Sequence, residues 1–172
     1  MASWGRRLWF GDGILPHQRI HEGKMFHAHV FKGAVANNGS LQIMITTVDQ
    51  KLTNLIPFAS ASGHAEMVIY EGVAFSGGSP LDAHNLKRNS PSTYGGSLVH
   101  TPNILSLGST LLQAVVPGGE GGNAVGSSPD LYIEWLLAPR TAYLYELINR
   151  RGNAADLSLS LLFYTTHPET YD

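Results

Sequence analysis

Apolar and polar residues alternate along much of the chain from Lys24 onward. A first predicted strand carries apolar residues on one face, at Phe26, Ala28 and Val30. The clearest alternation lies near the C-terminus, at Leu157, Leu159, Leu161 and Phe163. Successive side chains of a strand point to opposite faces, so this period of two predicts strands with one buried face.

Turn-forming residues separate the predicted strands. Asn38-Gly39 accepts positive φ at both positions and predicts a tight hairpin, in which the run from Leu41 is the return strand. Pro57 interrupts another apolar run, which predicts an edge strand or a bulged one. The run from residue 97 to 119 predicts two short strands broken near Pro102.

No segment shows a helical stripe with capping residues, whereas about eight strands follow one another at turn-bounded spacing. This pattern predicts an all-β fold, an antiparallel β-sandwich, and eight strands in two sheets is the jelly-roll number. We therefore expect a jelly-roll-like domain at residues 24–166, an extended, irregular N-terminal arm at 1–23 and a C-terminal tail at 167–172.

The predicted arm contains three large aromatic residues, Trp4, Trp9 and Phe10. They either pack on the core of their own chain or lie over a neighbouring subunit, because termini are loose unless something holds them. The sequence leaves both alternatives open.

Composition narrows the function classes. The 172 residues suit one domain, and only 14% are charged, which suits a surface partly covered by neighbours. The net charge of -2 does not favour nucleic-acid binding. The chain has no cysteine for disulfide or thiolate chemistry, and no apolar run long enough for a membrane span.

His27 and His29 are the candidate metal ligands, because alternate residues of a strand point the same way. Metal-binding jelly-roll enzymes of the cupin type use such a pair with a following glutamate and a distant histidine. No carboxylate follows this pair closely, and His64, Glu66 or His100 would have to complete the site. We therefore favour two histidines on a solvated or intersubunit face, and we expect no cofactor.

Signals for other catalytic chemistry are weak. The sequence has no Gly-x-Ser-x-Gly motif, no P-loop and no dinucleotide-binding glycine pattern. Glu134 and Glu146 lie in apolar strands, where we expect solvent exposure or pairing with Arg140 or Arg150 rather than acid–base work.

The segment from Gly72 to Gly96 is rich in glycine, serine, proline and asparagine. Apolar strands resume on both sides of it, which disfavours an interdomain linker. A phosphate-binding site is also disfavoured, because the segment does not lead into the N-terminus of a helix. An ordered long loop remains, in which Asn85, Arg88 and Asn89 hold its shape or contact a neighbouring subunit.

Several motifs together resemble a group of tailed-phage virion proteins. They are a strand ending in Glu71-Gly72, the polar loop "HNLKRNS", "HTP" at His100, and "EWLLAPRTAY" from Glu134, followed by the strand "LSLSLLFY". The likeness runs from about residue 21 to 164. It departs from the group's pattern at Ser79-Pro80-Leu81 and beside Asn85.

The members of this group resemble jelly-roll capsid decoration (cement) proteins, which sit as trimers on the capsid lattice. The resemblance implies a non-enzymatic homotrimer, assembled in the host cytoplasm, on the outer surface of the virion capsid. Its expected partners are the major capsid protein and itself, with no nucleic acid, membrane or small-molecule substrate. The candidate interface residues are Trp4, Trp9, Phe10, Asn85, Arg88 and Asn89.

Two alternatives remain. A tail or fibre module would bind a host receptor or glycan through exposed aromatic residues. A cupin-like metalloenzyme would use His27 and His29.

Overall fold

The structure is a computed structural model that describes residues 15–49, 51–118 and 133–166. These residues form one short helix and thirteen strands. In chain order they are α1 (Leu15–His21), β1 (Met25–Val35), β2 (Ser40–Thr46), β3 (Leu52–Ala61), β4 (Ala65–Glu71), β5 (Ala74–Ser76), β6 (Ser79–Pro80), β7 (His84–Asn85), β8 (Ser97–His100), β9 (Asn103–Ser106), β10 (Ser109–Val116), β11 (Trp135–Leu137), β12 (Ala142–Asn149) and β13 (Ala155–Thr166).

The strands pack as an antiparallel sandwich of two sheets, as the alternation predicts. The first sheet has the order β11-β3-β13-β1-β7, and the second has the order β10-β4-β12-β2-β8-β6. A separate pair, β5 and β9, makes a small third sheet. The fold is all-β apart from α1 in the described part of the chain.

Eight strands, β1–β4 and β10–β13, form a jelly-roll framework. Their order is β1-β13-β3-β11 in the first sheet and β2-β12-β4-β10 in the second. The chain changes sheet at every connection between them except that from β4 to β10, whose strands pair directly. The five remaining strands, β5–β9, all belong to one insertion between β4 and β10. The predicted strand number therefore holds for the framework.

The core lies between the sheets and consists of the inward faces that the alternation predicts. The side chains of Leu157, Leu159, Leu161 and Phe163 are fully buried. A second, smaller cluster lies on the outer face of the second sheet. There the buried side chains of β2 and β12 are covered by residues of the insertion; the cluster includes Met44, Leu144, Val73, Phe75 and Ile104. At Met44 and Leu144, strands β2 and β12 are therefore buried on both faces.

The predicted hairpin at Asn38-Gly39 is wrong. Asn38 does adopt a positive φ of 63°, so the turn exists. However, β1 pairs with β13 and β7, whereas β2 pairs with β12 and β8. The turn carries the chain from one sheet to the other, because each strand finds its partners far away in the sequence.

Two smaller expectations are also revised. Residues 15–21 of the predicted irregular arm form α1. The run from residue 97 contains three strands, β8, β9 and β10, where the sequence predicts two.

Strand β3, which contains Pro57, lies between β13 and β11 and is not the last strand of its sheet. However, β11 is short and pairs only with Thr53, Asn54 and Leu55 of β3. Pro57 pairs with Leu161 of β13 and lies beyond the stretch that β11 covers. Because proline has no N–H to donate, this uncovered side of β3 suits it.

No helix among the described residues is long and apolar enough to cross a membrane.

Two tyrosines of β12 face the same core but differ in their hydrogen bonds. The hydroxyl of Tyr143 donates to Glu71 Oε1 at 2.6 Å and accepts from the N–H of Ala138 at 2.9 Å. The hydroxyl of Tyr145 is buried and has no hydrogen-bond partner among the described residues. Burial, then the bond to Glu71, raises the pKa of Tyr143 to about 12.

We expect Tyr143→Phe to lower the free energy of unfolding by about 1–3 kcal/mol, because it leaves Glu71 and the Ala138 N–H without their partner. Tyr145→Phe removes a hydroxyl that makes no bond, so its effect should stay within about 0.5 kcal/mol or be stabilising. Urea denaturation of both variants measures the difference. Equal losses in the two variants would contradict this account of the core.

Candidate functional site

The insertion between β4 and β10, residues 72–108, begins and ends at one place. Glu71 pairs with Ser109 across the two framework strands. Gly108 has a φ of 69°, and a Cβ at this position would overlap the carbonyl oxygen of Glu71. A glycine therefore allows the two ends of the insertion to meet.

From this closed base the insertion reaches the opposite side of the sandwich. Its strand β7 pairs with β1 and extends the first sheet, and its strand β8 pairs with β2 and extends the second. The predicted ordered loop is therefore a cover over one side of the framework, joined to both sheets by backbone hydrogen bonds.

Asn85 fastens this cover. Its side chain is buried, and its Nδ2 donates to the carbonyl oxygens of Gly23 at 2.8 Å and Ser92 at 3.0 Å. Its Oδ1 accepts from the N–H of Lys87 at 2.9 Å. One amide thus joins the end of the N-terminal region, the strand β7 and the later part of the loop.

The backbone conformation at the end of α1 places Gly23 against the insertion. Gly23 has a φ of 68°, and the bonds from Gly23 N to Ile20 O and from Lys24 N to Arg19 O close the helix. A Cβ at Gly23 would overlap the Ser90 side chain. Helix and insertion therefore meet without space for a larger residue.

Arg88 and Asn89 lie at the exposed tip of the same loop. Arg88 Nη1 donates to the carbonyl oxygen of Asn85 at 3.4 Å, a long bond. Of the three loop residues predicted from the sequence, Asn85 holds the loop, whereas Arg88 and Asn89 present their side chains to the surroundings.

A second buried asparagine uses the same arrangement. Asn149 Nδ2 donates to the carbonyl oxygens of Val35 and Asn153, and its Oδ1 accepts from the N–H of Arg151. Sequence reasoning places Asn149 in a strand and misses this role. The signal in the sequence is an asparagine at the end of a strand, where its side-chain amide can form the hydrogen bonds that the backbone no longer makes.

His27 and His29 lie on the outer face of the first sheet, as the alternation predicts. Their ring centroids are 6.2 Å apart, and His84 of β7 pairs with His27 across the strands. Burial, followed by the charges of His29 and His84, lowers the pKa of His27. His29 Nε2 lies 3.0 Å from Ser158 Oγ.

The structure does not assemble the cupin-like set around this pair. The space between the sheets is filled by apolar side chains, and the histidines point away from it. Glu66 lies in the second sheet, where it pairs with Arg150 at 2.8 Å, and His100 contacts Thr101. Among the described residues no group of three or more His, Cys, Asp or Glu is placed to hold a metal ion.

The carboxylates of Glu134 and Glu146 have neutral partners. Glu134 is exposed and accepts from the hydroxyl of Tyr164 at 2.8 Å. Glu146 is partly buried and accepts from Gln42 Nε2 at 2.7 Å. The arginines considered as their partners bind other carboxylates instead: Arg140 pairs with Asp49, and Arg150 pairs with Glu66.

The side of the sandwich opposite the cover is different in character. Among the described strands β10 is the last of the second sheet, and residues 101–118 contain no Asp, Glu, Lys, Arg or His. Charges, prolines and bulges usually protect such edges from pairing with other chains; β10 has no charge, but it carries a bulge between Thr110 and Leu112, and Pro117 follows it. Leu105 and Leu107 are exposed but belong to the insertion, so the exposed apolar side chains at this edge are Val115 of β10, Leu136 of β11 and Ile133 just before β11. We call this surface the uncharged edge.

Trp4, Trp9 and Phe10 lie outside the described residues. Every described tyrosine and tryptophan is buried or partly buried, so the described surface offers no exposed aromatic ring of these types for a glycan.

Comparisons with protein-family models, with curated proteins and with solved structures find no match to this chain.

We expect Asn85→Ala to lower the free energy of unfolding by about 1–3 kcal/mol, because the buried carbonyl of Gly23 loses its hydrogen bond and the loop loses those of Ser92 and Lys87. Asn89→Ala is the matched control, and Arg88→Ala tests the exposed tip. Both should change stability by less than about 0.5 kcal/mol. Thermal or urea unfolding measures all three. If Asn85→Ala lowered the free energy of unfolding no more than its controls do, the cover would not depend on this amide.

Proposed function

We propose that this chain is a non-enzymatic virion structural protein that decorates the outer surface of a phage capsid as a homotrimer. The resemblance to tailed-phage virion proteins supplies the phage context. The observation that carries the assembly role is the uncharged edge, which combines an uncharged edge strand with exposed apolar side chains.

The residues that carry the resemblance support a structural role. Glu71 and Tyr143 belong to separate motifs and bind each other at 2.6 Å. Asn85 of a third motif fastens the insertion to the framework. In this arrangement the motifs hold a rigid body together and leave its surfaces for contact with neighbours.

The uncharged edge suits a second copy of the chain. An edge strand can continue its sheet into a neighbouring subunit by backbone hydrogen bonds, and apolar side chains beside it add buried area. Strand β10 itself would bring no charged side chain into such a contact, and burying an unpaired ion costs several kcal/mol. The N-terminal region and the loop tip with Arg88 and Asn89 would then contact the capsid.

We expect the purified protein to be a trimer and Val115→Lys or Leu136→Lys to shift it to monomer, because either lysine would bring a charge that must lose its water into a contact that is apolar in the wild type. Phe31→Lys is the matched control, since Phe31 is also exposed but lies on β1. Mass photometry or light scattering measures the assembly. A monomeric wild type, or lysine variants that remain trimeric, would contradict this assignment of the interface.

We expect deletion of residues 1–14 to reduce occupancy on capsids while the melting temperature of the sandwich stays the same. The deletion removes Trp4, Trp9 and Phe10 but leaves α1 and its contact with the insertion intact. Electron microscopy of particles mixed with each form measures occupancy. Full occupancy by the shortened chain would exclude the arm as the capsid anchor, and no decoration by the intact chain would overturn the proposed function.

A further inference from the structure

Helix α1 brings two histidines together that the sequence pattern does not single out. His17 and His21 are four residues apart, so they lie on the same face of the helix. Their Nε2 atoms are 3.0 Å apart and joined by a hydrogen bond, and the ring centroids are separated by 4.5 Å. This pair is distinct from His27 and His29 on the first sheet.

The two nitrogens are spaced like neighbouring ligands of one metal ion. Imidazole nitrogens bind such ions at about 2.1 Å, and two of them at a right angle are then roughly 3.0 Å apart. A tetrahedral ion needs a wider spacing of roughly 3.4 Å at the same bond length. The 3.0 Å spacing is that of a hydrogen bond between the two rings, so an ion would take the place of its proton, and the spacing lies close to both coordination geometries.

We propose that His17 and His21 form a two-nitrogen site for a divalent transition-metal ion, with Cu²⁺ as the preferred ion. Cu²⁺ accepts tetragonal nitrogen ligands and binds most tightly in the series of first-row divalent ions. Water completes the coordination. Mg²⁺ and Ca²⁺ do not suit the site because they take oxygen ligands.

The surroundings leave the site accessible. Both histidine side chains are exposed. Lys87 Nζ donates to the carbonyl oxygen of His21 at 3.0 Å, which fixes the backbone at this position. The neighbouring Glu22 carboxylate is engaged by Gln18, Arg19 and Lys24, so the imidazoles are the ligands that α1 offers.

Metal binding would stabilise α1 itself. A helix of seven residues is marginal on its own, and positions four apart meet only while the helix is formed. An ion held by both histidines therefore favours the helical state by linkage. Because α1 ends at the contact of Gly23 with the insertion, the ion would fix the direction in which the chain enters the sandwich.

Isothermal titration of the full chain with Cu²⁺ at neutral pH, together with electron paramagnetic resonance, tests the proposal. We expect one ion per chain at this site with two nitrogen ligands. His17→Gln and His21→Gln should each weaken binding at least about tenfold, since even outer partners of metal ligands contribute 10–100-fold. Circular dichroism should show that both variants remain folded.

His27→Gln and His29→Gln are the matched controls. His27 and His29 are also a pair of histidines, but their rings are nearly parallel and 6.2 Å apart, and His29 already contacts Ser158. These variants should bind Cu²⁺ as the wild type does. Unchanged affinity in His17→Gln and His21→Gln, or an equal loss in the controls, would overturn the proposal. Any binding at the amino terminus persists in all variants and does not affect the comparison.

Discussion

The framework depends on the long-range pairing of its last two strands. β13 lies between β1 and β3 in the first sheet, and β12 lies between β2 and β4 in the second. Neither β1 with β3 nor β2 with β4 is paired directly. The inward side chains of β13, such as Leu159 and Leu161, are fully buried against the opposite sheet. Removing either central strand would therefore separate its sheet into unpaired parts.

The insertion converts this framework into a body with two unlike sides. On one side, β7 and β8 extend the sheets, and the amide of Asn85 ties the cover to the end of α1. On the other side, β10 ends its sheet without a charged residue. In the described part of the chain, one side is thus closed by the insertion, while on the other β10 is the last strand of its sheet. This asymmetry is the physical basis of the proposed assembly.

The sequence predicts the strands well because alternation directly reports which face of a strand is buried. It does not report partners, so the turn residues Asn38-Gly39 predict a hairpin where the chain passes between two sheets. A related limit applies to α1, whose seven residues are too few for a clear helical period. The closeness of His17 and His21 follows only from that helix. Asn85 is recognisable as a loop residue, but its amide joins segments that only the fold brings together.

The position of β13 also affects how the chain acquires its structure. As the polypeptide leaves the ribosome, β1 and β3 emerge long before the strand that must lie between them. Their apolar faces stay uncovered until β13 has been synthesised, and pairings of such long sequence separation form slowly. The nascent chain is therefore vulnerable to aggregation until β13 is made, and a ribosome that stops before β13 releases a product that cannot close its first sheet.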